Sequence, residues 1–204
     1  DHDSIREYIC NFIMSKLETN QVDPATGTTL TLGTSGDTIS IPSGVTIANS
    51  GTATGFGGTM TPAFSVSLSA TQNISGAGTL TRVNFNTELL DTDNAYDNSS
   101  NYRFTPQTAG KYALFSTIRM FSSSGDWNSY TVELRKNNTA IGKSDANFSS
   151  SIIGGGATVT IPIAIVADAN GSSDYFDVYF SCVTANGRAE GGTFTNFWGY
   201  KIIE

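Results

Sequence analysis

The chain is short of most things that catalysis and nucleic-acid binding require. It has one histidine, His2, next to its first residue. A Ser-His-Asp triad or a histidine-rich metal site cannot be built around it within one folded domain. Only two cysteines are present, Cys10 and Cys182, in segments of unlike pattern. A disulfide between them is unforced, and two buried thiols are the favoured state, so the redox compartment stays open. Charged residues make up 14% of the chain, and the net charge is −7. With no basic cluster, that balance argues against a binder of phosphate backbones. No apolar run is long enough to span a bilayer. Nucleophile-elbow, phosphate-loop and metalloprotease motifs are missing. The chain starts at Asp1 without a leader-like stretch, and processing from a longer precursor stays open.

What is present is strand and turn chemistry. Ser, Thr, Asn and Gly are abundant, and apolar residues make up 38% of 204 residues, enough for one sizeable domain plus an extension. Sequons at Asn73, Asn98, Asn137, Asn147 and Asn170 are expected by chance in such a composition.

Three segments follow. Residues 1–22 contain "DSIREYICNFIMSKLE", in which Ile5, Ile9, Phe12, Ile13 and Leu17 fall on one helical stripe together with Tyr8. Ser4 and Glu7 have the spacing of a capping box. The segment is expected to be an amphipathic docking arm, set apart from the main domain by a turn-rich stretch. Residues 23–61 include "TLTLGTSGDTISIPSGVTIANSG", with aliphatic pairs Leu30 and Leu32, Ile39 and Ile41, and Val45 and Ile47 between glycine turns. Burying six such side chains, at about 1.5–3 kcal/mol each, does not offset the ordering of about thirty backbones at about 1–2 kcal/mol per residue. The spacing therefore predicts a shaft of short β-rungs that is ordered only when copies of the chain flank it. A flexible linker is the competing reading, against which three regularly placed aliphatic pairs count.

Residues 62–204 read as an all-β domain. Runs such as "AFSVSLSA", "KYALFSTIRMF", "YTVELRKN", "ATVTIPIAIVA", "DYFDVYFSCVT" and "TFTNFWGYKII" alternate and are separated by turn clusters. That pattern predicts a sandwich or jelly roll. In several strands the aromatics fall on alternate positions: Tyr112 with Leu114, Tyr175 with Asp177 and Tyr179, and Phe194 with Asn196 and Trp198. Alternation means one face inward and one outward, and wherever the outward face is also aromatic a subunit interface is expected.

The ordered motifs "PAFSVSL", "YRFTPQTAGKYALFSTI", "YTVELRKNNTAIG" and "GGTFTNFWGY" resemble the globular heads of complement-type proteins, which share the tumour-necrosis-factor jelly roll. The resemblance covers roughly residues 62–204. It implies a homotrimer held by an apolar and aromatic seam, with Phe64, Tyr112, Phe176, Phe194 and Phe197 as candidates for core or seam. One departure is "ADANGSS", which stands where the complement heads commonly carry a Pro-Gly-Asp turn. The rung segment looks like parts of bacteriophage fibre and tail proteins, and the chain has no Gly-X-Y stalk.

The expected function is that of a non-enzymatic virion protein, a phage fibre or tail-associated homotrimer that contacts host surface or neighbouring virion proteins. Competing readings are a capsid decoration trimer, a secreted complement-head-like binding module and a glycan-cleaving enzyme. The acidic group Asp91, Asp93 and Asp97 is read first as a solvated turn loop, second as a calcium site of hard oxygen ligands. Paired-acid catalysis lacks the apolar surroundings that would raise one pKa. Trp127, with Tyr130 nearby, is the candidate receptor contact, and edge packing on a neighbouring subunit competes with it. No cofactor other than calcium is implied, and the partners expected are the chain itself, virion proteins and a host glycan or protein.

Overall fold

The computed structural model describes residues 20–51, 60–122, 129–147, 158–183 and 186–202. The expected N-terminal helix, with Ile5, Ile9, Phe12, Ile13 and Leu17, lies outside the described residues. The chain divides into two units, residues 1–52 and 53–204.

In the first unit the turn chemistry is as the sequence predicts. Asp37 donates its N–H to the Thr34 carbonyl at 3.0 Å, and Val45 donates to the Pro42 carbonyl at 3.2 Å. The Asp37 carboxylate in turn accepts from the Thr34 N–H at 2.7 Å, closing a reciprocal pair across "TSGD". The rungs themselves do not form. No strand occurs among the described residues of this unit. Leu30, Leu32, Ile39, Ile41, Val45 and Ile47 are between 43% and 62% exposed. A single copy offers these pairs nothing to pack on.

The second unit is all-β. Its strands among the described residues are β1 Ala63–Leu68, β2 Gln72–Asn73, β3 Thr81–Arg82, β4 Thr87–Asp91, β5 Tyr96–Asp97, β6 Arg103–Phe104, β7 Ala109–Ser122, β8 Ser129–Lys136, β9 Thr139–Asn147, β10 Thr158–Asn170, β11 Phe176–Cys182, β12 Gly187–Ala189 and β13 Gly192–Lys201. They form two antiparallel sheets. The seven-stranded sheet runs β2-β12-β7-β13-β1-β4, with β10 on the other edge of β7. The six-stranded sheet runs β5-β6-β11-β8-β9, with β3 also on β11.

β7 organises the first sheet because both its edges are used. β10 pairs along one edge from Thr158 opposite Phe121 to Asn170 opposite Ala109. On the other edge β13 covers Tyr112 to Thr117 and β12 covers Met120 to Ser122. The even-numbered residues of β7, from Tyr112 to Ser122, are buried toward the second sheet, as the predicted alternation requires. Ser116 belongs to that set and donates its hydroxyl to the Asn196 carbonyl at 2.8 Å, so its burial leaves no orphan donor.

The centre of the core is aromatic. Phe64 stacks on Phe104 at 4.1 Å between centroids and meets Phe197 edge-on at 4.8 Å. Phe104 in turn contacts Tyr112 and Phe176. Of the five residues assigned to core or seam, Phe64, Tyr112, Phe176 and Phe197 are therefore core.

The β8–β9 hairpin turns on Asn137 and Asn138, with φ of 51° and 66°. Two consecutive left-handed residues match the twist of paired strands, and Asn tolerates that region better than most residues. The "DANGSS" turn is held by Asn170, whose side-chain oxygen accepts from the N–H groups of Ser172, Ser173 and Asp174.

Candidate functional site

The outward face of the seven-stranded sheet carries the aromatic surface. The alternation that buries Phe197 in β13 turns Phe194, Trp198 and Tyr200 outward. In β7 it turns Phe115 and Phe121 outward. Phe115 and Trp198 are register partners, and their rings stack at 4.1 Å with an interplanar angle of 15°. Tyr200 lies parallel to both, at 6.3 and 6.5 Å. β10 extends the surface with Pro162 and Ala164, opposite Thr117 and Phe115. Two shallow hollows, of about 300 and 240 Å³, border this stack; Phe115 and Ala164 line both. Trp198 is 39% exposed and Phe194 53%, so Phe194 belongs to this face and not to the core.

The six-stranded sheet has a polar outer face of different character. Asp177 in β11 is 1% exposed, and its Oδ1 is buried without a hydrogen-bond partner among the described residues. Arg135 lies opposite it in β8, and Arg82 and Arg103 come from β3 and β6. Each of these guanidiniums lies over a tyrosine ring: Arg82 over Tyr102, Arg103 over Tyr175 and Arg135 over Tyr179. Arg135 is also paired with Glu133 at 2.7 Å. Burial pushes the Asp177 carboxyl up to about 6, against the opposing pull of Arg82, Arg135 and Arg103. A raised carboxyl is a common mark of a catalytic acid. This one is 1% exposed.

The acidic loop is used for turns. Asp91 accepts from the N–H groups of Asp93, Ala95 and Tyr96 at 3.3, 3.0 and 2.7 Å. Asp97 accepts from those of Ser99, Ser100 and Asn101, which hold its carboxyl below the ordinary value, the Ser100 amide most. Asp93 accepts from the Thr92 hydroxyl. The structure does not bring Asp91, Asp93 and Asp97 together as a ligand set. No group of three His, Cys, Asp or Glu side chains that could hold a metal occurs among the described residues.

Tyr130 is corrected. It is 8% exposed and belongs to the core, because it shares the inward phase of β8 with Val132 and Leu134. Trp127 lies outside the described residues. Cys182 is buried, as expected of a cysteine in a core strand.

No protein-family model and no curated protein matches the chain. Solved structures do match, over about two thirds of the chain. Eiger, a tumour necrosis factor from S. frugiperda, is 9% identical, with 69% of this chain and 91% of that one covered at a TM-score of 0.53. Murine APRIL is 12% identical, with 69% and 98% covered at 0.52. The globular domain of a zebrafish complement 1qA protein is 18% identical, with 69% and 96% covered at 0.47. The two sheets, their topology and the likeness to the first two structures define the head as a jelly roll of the tumour-necrosis-factor type. At these identities the likeness is one of fold.

Proposed function

We propose that the chain is a non-enzymatic, homotrimeric structural protein of a virus particle, a bacteriophage fibre or tail-associated protein whose head contacts the host surface or neighbouring virion proteins. The observation that carries the self-association is the stacked Phe115–Trp198–Tyr200 surface on the outward face of the seven-stranded sheet. Contiguous aromatic surface of this kind is costly to leave in water and is enriched at subunit interfaces. Copies of the same chain are the natural cover, since a closed symmetric assembly buries the same patch on every subunit. The uncovered aliphatic pairs from Leu30 to Ile47 make the same demand in the other unit.

The virion part of the reading rests on sequence: a helical arm, Gly/Ser/Thr-rich rungs like those of phage fibres, and a jelly-roll head. In this reading residues 1–22 dock to the particle, and three head copies multiply weak contacts through avidity. The non-enzymatic part is supported by the fate of the carboxylates. Asp91 and Asp97 are tied to backbone amides, and Asp177 is buried.

Light scattering on the intact chain tests self-association. The expected mass is three times the 21.6 kDa of one chain, falling to one chain when Trp198→Glu is combined with removal of residues 1–60. A monomeric intact chain overturns the trimer. Antibody against the head tests location, with label at tail tips expected and label across the capsid lattice indicating a decoration protein.

A further inference from the structure

At the other end of the same sheet face, away from the aromatic stack, lies an open cleft of about 410 Å³ between the exit of β1 and the entry of β13. Phe194 is four residues from Trp198, or about 13 Å along a strand. The cleft is shaped by two glycines. A Cβ on Gly191 would stand 2.6 Å from the backbone of Ala70, so only glycine lets the two segments approach. Gly192 follows with φ of 90° and nothing within 4 Å of its Cβ position, which leaves the mouth open. The volume falls at the small end of sites for small molecules, about 300–1,000 Å³.

Three side chains give the cleft its chemistry. Arg119 Nε is paired with Glu190 Oε2 at 2.7 Å, and the Glu190 N–H donates to the Arg119 carbonyl at 2.8 Å, so backbone and side chain fix the pair together. The Arg119 guanidinium also lies over one face of Phe194, 4.2 Å from its centroid. The pair uses one guanidinium N–H and one carboxylate oxygen. A guanidinium carries four further N–H donors and a carboxylate a second oxygen, held in fixed planes. Ser69 and Thr71 also line the cleft.

We propose that this cleft is a binding site for an uncharged saccharide unit. A pyranose ring presents adjacent hydroxyls that both donate and accept, matched by the carboxylate oxygen and the guanidinium donors. It also presents C–H groups, which can pack only on the part of the half-exposed Phe194 ring that the Arg119 guanidinium leaves uncovered. The pair is internally neutral, so an anionic or cationic ligand gains no net charge attraction and must compete with a contact already made at 2.7 Å. A neutral polyol needs no such exchange. The site is complete within one head and does not depend on self-association, although three copies would present it three times.

The test is saturation-transfer NMR on the intact chain with the methyl glycosides of glucose, galactose and N-acetylglucosamine, and with N-acetylneuraminate as the charged comparison. Saturable binding of at least one neutral glycoside is expected. Phe194→Ala and Glu190→Gln should each weaken it by about tenfold or more, and N-acetylneuraminate should bind more weakly. Phe194 is half exposed, and Glu190→Gln preserves shape, so both variants are expected to fold; far-ultraviolet circular dichroism checks this. Absence of binding by all three neutral glycosides overturns the proposal, as does binding indifferent to both substitutions or a preference for the anion. Mass in solution, measured on the same samples, separates the two ideas: glycoside binding by a monomer sinks the trimer and keeps the cleft.

Discussion

Asp177→Asn is expected to change how stability depends on pH. The carboxylate is enclosed on the outer face of the six-stranded sheet, with three guanidiniums near it and Oδ1 unpartnered among the described residues. Desolvation dominates the attraction of the arginines and raises its pKa from the ordinary 3.8 to about 6. A raised carboxyl means that the folded protein holds a proton which the unfolded chain has released. The associated stability is fully present below about pH 3.8, falls as pH rises through about 6, and is then flat. The gap between 3.8 and about 6, at about 1.4 kcal/mol per pKa unit, corresponds to about 3 kcal/mol. Other carboxylates act in the opposite sense. Asp97 is lowered, chiefly by the Ser100 amide, and Asp174 chiefly by its contact with Lys136. The stability they add is present above the ordinary carboxylate range and lost on acidification. Both terms are common to the two proteins and cancel in the difference. Urea unfolding of wild type and variant, at one protein concentration and from about pH 4 to about pH 8, is the assay. Relative to wild type, the variant should gain about 2–3 kcal/mol across that range, nearly all of it below about pH 6.5. A flat difference, or a gain on acidification, would show that the arginines outweigh burial and that the charged form is the stable one.

Two further predictions concern the core and the acidic loop. Phe64→Ala removes a ring that stacks on Phe104 and meets Phe197, and should cost about 3–5 kcal/mol in urea unfolding; a cost below about 1 kcal/mol would place the core elsewhere. Asp91→Ala strands the N–H groups of Asp93, Ala95 and Tyr96 and should cost about 2–3 kcal/mol. Calcium should leave the wild-type unfolding midpoint unchanged, and a saturable rise would restore the metal-site reading of that loop.

The longer core strands were legible because their apolar alternation is strong. "KYALFSTIRMF" lies within β7, and "TFTNFWGYKII" overlaps β13 for all but its last two residues. β4, β9 and β12 were not legible. "TELLD" and "TAIGKSDAN" have no sustained alternation, and "GRA" is too short to have any. These strands exist because a neighbour supplies a backbone edge: β8 for β9, β1 for β4, β7 for β12. That is tertiary context overriding local preference. Tyr130 is a different case. Its phase with Val132 and Leu134 was visible in "YTVELRK", and proximity to Trp127 outweighed it. The burial of Asp177 was not legible, and the arginines that act on its carboxyl stand 42 to 95 positions away in the chain, which no local pattern can show. The saccharide cleft is assembled from residues 69–71, 119 and 190–194; only the Gly-Gly before the last strand hinted at a close approach.

The outer faces of the two sheets explain why one surface is proposed for assembly and the other is not. Both carry aromatic rings at alternate positions, so composition alone does not separate them. On the six-stranded sheet each guanidinium lies over a tyrosine, and Glu133 and Asp177 supply opposite charge. Such a face pairs its rings with cations, although Arg82 Nε, Arg103 Nε and Asp177 Oδ1 are buried there without a hydrogen-bond partner among the described residues. On the seven-stranded sheet the rings at mid-strand stack on one another, Phe115 on Trp198 with Tyr200 parallel, and the adjoining β10 positions are Pro162 and Ala164. Arginines return only at the end of that face, Arg119 over Phe194 and Arg188 over Phe121. Burial of the mid-strand stack would release apolar surface from water at little polar cost, whereas burial of the arginine face would desolvate several charges. That asymmetry is why the mid-strand face of the seven-stranded sheet is the proposed seam and its arginine-bearing end the proposed ligand site.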